Sequence, residues 1–203
     1  MKVKMLRPVF GISLALWVLL ALAYPFGMTG MSRLFFSYQS QGSRVQLNGR
    51  LIGVAHVGQN FEPNLQYFWG RPSATTSVST GKPEPYNAYA SSPSNLGPTN
   101  QQLLTDVQQR IRFLQKTTPG LQTRKIPADL VESSGSGLDP NITVQAALIQ
   151  IPRVAKATGL STAFLTQLVD SQVKGLQLGV FGKRRVNVLQ LNLTLYQSLH
   201  IQK

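Results

Sequence analysis

At 203 residues the chain is long enough for one compact domain of ordinary size plus a short extra segment. It has no cysteine, which excludes disulfides, thiol nucleophiles, lipidation through a thiol and thiolate metal sites. The formal charge is +13, but the basic residues are dispersed and Lys183-Arg184-Arg185 is the only run of three, a pattern that fits a solvated surface facing anionic headgroups or an acidic partner better than a nucleic-acid footprint.

The first element is the uncharged run from Pro8 to Met28, in which Ser13 is the only clearly polar side chain before Tyr24. As a helix it spans about 31 Å at ~1.5 Å per residue, which matches a hydrocarbon core of ~30 Å. A buried helix of a soluble domain would carry a polar stripe, and this run has none. Lys2, Lys4 and Arg7 precede it, and only Arg33 and Arg44 are basic in the sixteen positions that follow. This bias predicts residues 1–7 as a cytoplasmic basic start, 8–28 as a transmembrane helix and 29–203 as an extracytoplasmic soluble domain in the cell inner membrane. The competing reading is a cleavable signal peptide ending at Ala21-Leu22-Ala23. The apolar character continues through Tyr24, Pro25, Phe26 and Met28, which favours a retained anchor. Gly11 and Ala15 form a small-xxx-small pair where another transmembrane helix can approach, although small residues also fall at that spacing by chance. Trp17 sits near mid-membrane, where its indole N–H needs a partner that a neighbouring helix would supply.

Val45 to Val57 reads as a β-hairpin turning at Asn48-Gly49, with His56 in the second strand, where a lone histidine is structural. Phe61 to Asn100 is a proline-, serine- and asparagine-rich segment. It is too long for an idle loop and too aromatic for a linker. It reads as an ordered irregular surface whose Asn, Ser and Thr side chains satisfy their own backbone.

A helix over 100–118 follows, capped by Thr99 or Asn100, with Leu103, Leu104, Val107, Ile111 and Leu114 on one face. Ile126 to Val131 is expected to be extended, and Glu132 to Pro140 to form a Gly/Ser turn. A helical region covers 143–175: one helix from Val144, capped by Thr143, divided at Pro152 and stopped by Gly159. A second is capped by Ser161, carries Phe164, Leu165, Leu168, Val169 and Val173 on one face, and ends at Gly175. The tail from Val186 fits a strand and, through the spacing of Asn187 and Gln190, a capped helix; sequence leaves both open. The fold class is therefore α+β, with one N-terminal transmembrane helix followed by a single mixed α/β domain.

Motifs for catalysis are weak. Ser79-Thr80-Gly81-Lys82 fits Ser-x-x-Lys, but that pair needs a helical turn that Gly81 and Pro83 disfavour. His56 and His200 form neither a triad nor a metal pair. No phosphate-binding Gly-x-x-x-x-Gly-Lys loop and no carbonyl-filter string is present, and seven carboxylates against seventeen bases beyond Arg7 make a poor cation funnel. The alternatives left by the residues alone are a membrane-anchored Ser-Lys hydrolase and a secreted basic binding protein with salt-dependent affinity.

Several strings, in order, carry a resemblance. They are Tyr24-Pro25 with Thr29-Gly30; Tyr67-Phe68 with Arg71-Pro72-Ser73-Ala74; Ser94-Asn95-Leu96-Gly97-Pro98-Thr99-Asn100; Ile126 to Val131; Ser134-Gly135-Ser136-Gly137-Leu138-Asp139-Pro140; Gln150 to Ala155; and Arg185 to Leu189. Together they resemble the C subunit of the bacterial Kdp-type potassium-transporting ATPase over nearly the whole chain. Glu132, Val144 and the Lys183-Arg184 pair depart from that family's pattern.

The resemblance implies a non-catalytic accessory subunit of an ATP-driven potassium uptake complex. Its partners are implied to be a channel-like translocating subunit and a P-type subunit that hydrolyses ATP, and its role a catalytic chaperone that raises the latter's ATP affinity. It also implies nucleotide contact at Ser134, Gly135, Ser136, Gly137 and Asp139, because the Ser-Gly stretch is similar to the signature loop of ABC transporters. Converging backbone N–H groups could serve an anion there. A tight turn stabilised by Ser and Asp side chains is the plain structural alternative. The charge bias pulls against direct contact, since it places this turn away from cytoplasmic ATP. No cofactor and no metal is expected on the residues' own merits, and ATP only as the family implies. Partner contact is expected at Gly11, Ala15 and Trp17 in the helix, and at Arg71, Ser73 and Asn95 in the domain.

Overall fold

The computed structural model describes residues 6–201, in two compact units, the first ending at Ile52 and the second beginning at Gly53. In the first, α1 (Leu6–Trp17), a π-helical turn (Val18–Ala23) and α2 (Tyr24–Phe35) make one helical run of 30 residues, none of them buried. At ~1.5 Å per residue it is about 45 Å long, enough for the hydrocarbon core and both headgroup layers. The helix outruns the expected 8–28 because the polar residues after Met28 do not stop it. The Thr29 hydroxyl donates to the Pro25 carbonyl at 2.7 Å and Ser32 to that of Thr29 at 3.1 Å, so both hydroxyls are satisfied by the helix itself. The widened turn lies directly ahead of Pro25. The Tyr24 N–H reaches back to the Leu19 carbonyl there, which relieves the press of the proline ring on the preceding turn. Of the basic start, residues 1–5 lie outside the described residues.

A short helix α3 (Ser37–Ser40) leads into β1 (Arg44–Leu47) and β2 (Arg50–Val54), which form a two-stranded sheet. Asn48 and Gly49 turn the hairpin with φ of 50° and 76°, the left-handed pair that the sequence predicts. The strand ends earlier than expected, and His56 lies in a turn, exposed. The ladder stops because its backbone finds other partners: Val57 N–H donates to Val54 O at 3.2 Å, and Ala55 O accepts from the Asn187 side chain at 2.7 Å.

The second unit has no helix or ladder strand between Val54 and Gln101, as expected, and it is held by its own side chains. The Tyr86 N–H donates to Ser73 Oγ at 2.9 Å, Asn87 N–H to Thr75 Oγ1 at 3.1 Å, and Thr75 Oγ1 to Glu84 O at 2.7 Å. Then come α4 (Gln101–Thr117), whose cap is Asn100, accepting from Gln102 N–H at 2.8 Å, and a strand β3 (Asn141–Thr143). Of the expected α4 face, Leu114 is buried while Leu104 is exposed, because the helix touches the core only at its carboxyl end. Ile126 to Val131 is not extended throughout. Ala128–Leu130 forms a 3-10 turn, which drops Leu130 into the core and leaves Asp129 accepting from Thr143 N–H at 2.6 Å.

The helices α5 (Val144–Leu148), α6 (Ile151–Thr158) and α7 (Thr162–Ser171) follow, then β4 (Val173–Lys174), β5 (Arg185–Asn187) and α8 (Val188–Ile201). Thr143 and Ser161 cap α5 and α7, Pro152 sits in the first turn of α6, and Gly159 ends it at φ 79°. Val173 leaves the helical face assigned to it. The helix closes at Ser171, and Val173 pairs instead with Val186 in the antiparallel sheet β3-β5-β4. Both readings of the tail hold in succession: β5 is a strand and Asn187 then caps α8, its side chain accepting from Gln190 N–H at 3.0 Å. The core lies between this sheet and the helices, on Ile142, Val154, Leu165, Val169, Val186, Leu191 and Leu195, and takes in Phe68 and Trp69 from the irregular segment.

Candidate functional site

Two neighbouring constructions organise the irregular segment. The first brings residues 65–69 from the surface into the core, where Phe68 and Trp69 are buried without a strand partner. Buried backbone must be hydrogen-bonded, and here side chains replace the missing ladder. The Asn192 amide accepts from Phe68 N–H and donates to Phe68 O, both at 2.8 Å. Gln150 does the same for Trp69, at 2.8 and 3.1 Å. Arg153, only 2% exposed, donates to the carbonyls of Leu65 and Tyr67 at 2.7 and 2.9 Å and to the Gln150 amide oxygen at 2.7 Å.

The Arg153 guanidinium lies 3.7 Å from the centre of the Trp69 ring, Trp69 stacks on Phe113 at 5.2 Å, and Arg110 covers the other end at 5.4 Å from Phe113. Arg110 is held in turn by a bidentate ion pair with Glu62 and by Leu130 O at 2.9 Å. Desolvation presses the Arg153 guanidinium down to about 9, against the pull of Glu62, so it remains cationic at neutral pH. This column fixes one wall of a cleft of about 460 Å³ that also takes in Leu96, Leu103 and Glu132.

The second construction is the Ser-Gly turn. Ser134 is buried and its hydroxyl accepts from Asp139 N–H at 3.5 Å; the Ser136 hydroxyl accepts from Leu138 N–H at 3.1 Å. Gly137, at φ 68°, accepts at its carbonyl from the Ser73 hydroxyl at 2.8 Å, and a Cβ there would stand 2.6 Å from Thr75 Cγ2 and 2.9 Å from Ser92 O. Asp139 accepts from Asn141 N–H at 3.0 Å and faces Arg71 at 3.7 Å, while Arg71 also donates to Ser133 O at 3.2 Å. Tyr86 closes the assembly. Its ring lies against Gly58 and Gly70, its hydroxyl donates to Arg71 O, and burial raises its pKa. Beside the turn is a cleft of about 430 Å³ lined by Arg71, Asp129, Asp139 and Lys183 to Arg185.

Arg71, Ser73, Ser134, Gly137 and Asp139 are thus brought together, whereas Gly135 and Ser136 point to solvent and Asn95 stands exposed at φ 54°, outside both clefts. The turn differs from an anion site at a helix start in two respects: Asp139 adds negative charge, and a three-residue strand rather than a helix follows it. Gly11, Ala15 and Trp17 lie on the exposed surface of α1, with open space where a Gly11 Cβ would stand. Ser79 pairs with Ser77 Oγ at 3.2 Å in a turn ending at Gly81, φ 66°, not in the helical geometry a Ser-Lys pair requires. His200 stacks on Tyr196 and forms no ion pair among the described residues, which hold no cluster fit for a metal ion. Sequence reading missed Glu62, Arg110, Gln150, Arg153 and Asn192 as determinants. The available signal was a polar residue set among apolar neighbours, as in Leu189 to Leu195.

These features define a class: an α+β domain, tied together by side-chain-to-backbone bonds, carried behind one apolar helix long enough to cross a membrane. The family described as K+-transporting ATPase, c chain (KdpC) matches residues 6–197. The chain is 47% identical over 197 residues to the potassium-transporting ATPase KdpC subunit of Rhodopseudomonas palustris (strain BisB18), covering 95% of this chain and 97% of the relative. It is 46% identical over 197 residues to that of Paraburkholderia phytofirmans (strain DSM 17436 / LMG 22146 / PsJN), covering 97% and 98%. The chain belongs to the KdpC family.

Proposed function

We propose that the protein is a non-catalytic accessory subunit of an ATP-driven, high-affinity potassium uptake complex. It is anchored in the inner membrane by the Leu6–Phe35 helix, with its amino terminus cytoplasmic and its folded domain extracytoplasmic. The observation that carries this reading is the apolar helix, none of whose residues is buried, in a chain whose relatives are named as subunits of a potassium-transporting ATPase. The basic residues ahead of that helix set its direction. Partners are the channel-like translocating subunit and the ATP-hydrolysing subunit, with the Gly11–Ala15 face and Trp17 receiving a neighbouring helix and the Arg71, Ser73 and Asn95 region meeting the complex outside the membrane. Any rise in the ATP affinity of the hydrolysing subunit is indirect, through the assembly, and not through contact of ATP with Ser134 to Asp139.

Because the chain has no cysteine, a single Ser136→Cys substitution at an exposed position reports sidedness cleanly. A membrane-impermeant thiol reagent is expected to label it in spheroplasts; labelling only after lysis would place the turn with ATP and overturn the reading. The contact role of Arg71 is separable. Its ion pair is about a third exposed and its guanidinium also bonds Ser133 O, so Arg71→Ala costs about 1–2 kcal/mol, which urea unfolding of the same variant reads apart from assembly. Co-purification of the other subunits in mild detergent is expected to fall, and unchanged recovery would remove Arg71 from the interface.

A further inference from the structure

Between β4 and β5 the chain makes a hairpin, Val173 to Val186, that packs only at its base. Val186 is buried, whereas Leu178 is 90% exposed, Val180 75% and Phe181 63%. The tip is ordered by its own backbone: Gln177 N–H donates to Phe181 O at 2.8 Å, and Val180 N–H to Gln177 O at 3.1 Å. Leu178 and Gly179 turn it with φ of 52° and 76°. That conformation suits Asn, Asp or Gly and costs a leucine about 1–2 kcal/mol. The chain therefore bears strain at this position in order to hold a large apolar side chain in water, which no contact within the fold repays.

Charge narrows what covers it. Lys174 flanks the tip on one side and Lys183, Arg184 and Arg185 on the other, and no acidic side chain follows Asp170. An apolar tip flanked by exposed Lys174, Lys183 and Arg184 is the arrangement of an interfacial anchor: aliphatic and aromatic groups enter the headgroup–acyl boundary while the cations meet lipid phosphates, and the carboxylates that share a cleft with Lys183 to Arg185, Asp129 and Asp139, stand beside the base of the hairpin. The domain is covalently joined to a helix of membrane-spanning length, which holds a bilayer at high local concentration.

We infer that the 173–186 hairpin is a second membrane contact, inserting Leu178, Val180 and Phe181 into an anionic lipid surface under Lys183 and Arg184. It uses the anchoring of the chain but not the sidedness or the partners proposed above, which the Ser136→Cys experiment tests separately. The full chain is reconstituted into phosphatidylglycerol–phosphatidylcholine vesicles with one environment-sensitive fluorophore at Val180→Cys or, as control, at Tyr89→Cys in another exposed loop. Emission at 180 is expected to shift to the blue and to be quenched by lipid-borne nitroxide, with neither change at 89. Each of Lys183→Gln and Arg184→Gln lowers the ratio of inserted to free hairpin about fivefold. Leu178→Asn, which suits the turn, lowers insertion while leaving the thermal midpoint equal or higher, so a folding defect cannot explain the loss. Emission at 180 as water-like as at 89 overturns the inference. So does shielding that requires the other subunits and resists lipid-borne quencher, which would make the hairpin a protein contact.

Discussion

Arg153→Leu is expected to destabilise the domain by about 3 kcal/mol. The substitution leaves the carbonyls of Leu65 and Tyr67 without their buried donor, at roughly 1–3 kcal/mol each, and uncovers one face of Trp69. Against this, removing a desolvated charge is favourable, and that relief keeps the loss near 3 rather than 6 kcal/mol. Urea unfolding of the full chain in detergent micelles, followed by tryptophan emission, reads the loss directly. Arg153→Lys keeps the charge but not the planar fork that spans two carbonyls and an amide oxygen, so it falls between leucine and wild type. A leucine variant within about 0.5 kcal/mol of wild type would mean that water satisfies those carbonyls, and that Arg153 does not hold the 65–69 segment in place.

That segment also marks where sequence reading stops. Local chemistry was legible wherever one residue type does one job. Asn48-Gly49 turned a hairpin, Thr143 and Ser161 capped helices, Pro152 divided one and Gly159 ended one. The apolar run was legible by length alone, although its carboxyl end was not, because Thr29 and Ser32 turn their hydroxyls onto the helix instead of breaking it. What depends on distant pairing was illegible. Nothing near Phe68 announces that an asparagine 124 positions away brackets its backbone, nor near Trp69 that Gln150 does the same. Val173 looked helical because its spacing from Val169 is helical; only the approach of Val186 makes it a strand residue. The site divides likewise: Arg71, Ser73 and the Ser-Gly turn were singled out from their strings, while the Glu62–Arg110 pair needed the fold to bring it together.

Gly137→Ala is expected to cost about 3 kcal/mol and to separate the two accounts of the Ser-Gly turn. Its left-handed backbone penalises any Cβ by about 1–2 kcal/mol. The new methyl would also meet Thr75 Cγ2 at 2.6 Å and the Ser92 carbonyl at 2.9 Å, an overpacking worth about 1–3 kcal/mol because a backbone atom cannot swing aside. Ser136, by contrast, is exposed and gives up one bond to Leu138 N–H, so Ser136→Ala changes stability by less than about 1 kcal/mol. If the turn serves by its shape, holding Ser73, Arg71 and Tyr86 in register, Gly137→Ala lowers both the unfolding midpoint and the recovery of the assembled complex, and Ser136→Ala lowers neither. If its hydroxyls met a phosphate, Ser136→Ala would weaken ATP binding by the complex with the unfolding midpoint unchanged. The burial of Ser134 and Gly137 and the carboxylate of Asp139 favour the first outcome. The turn rests on the glycine that closes it, and filling that position costs it more than the loss of one exposed hydroxyl.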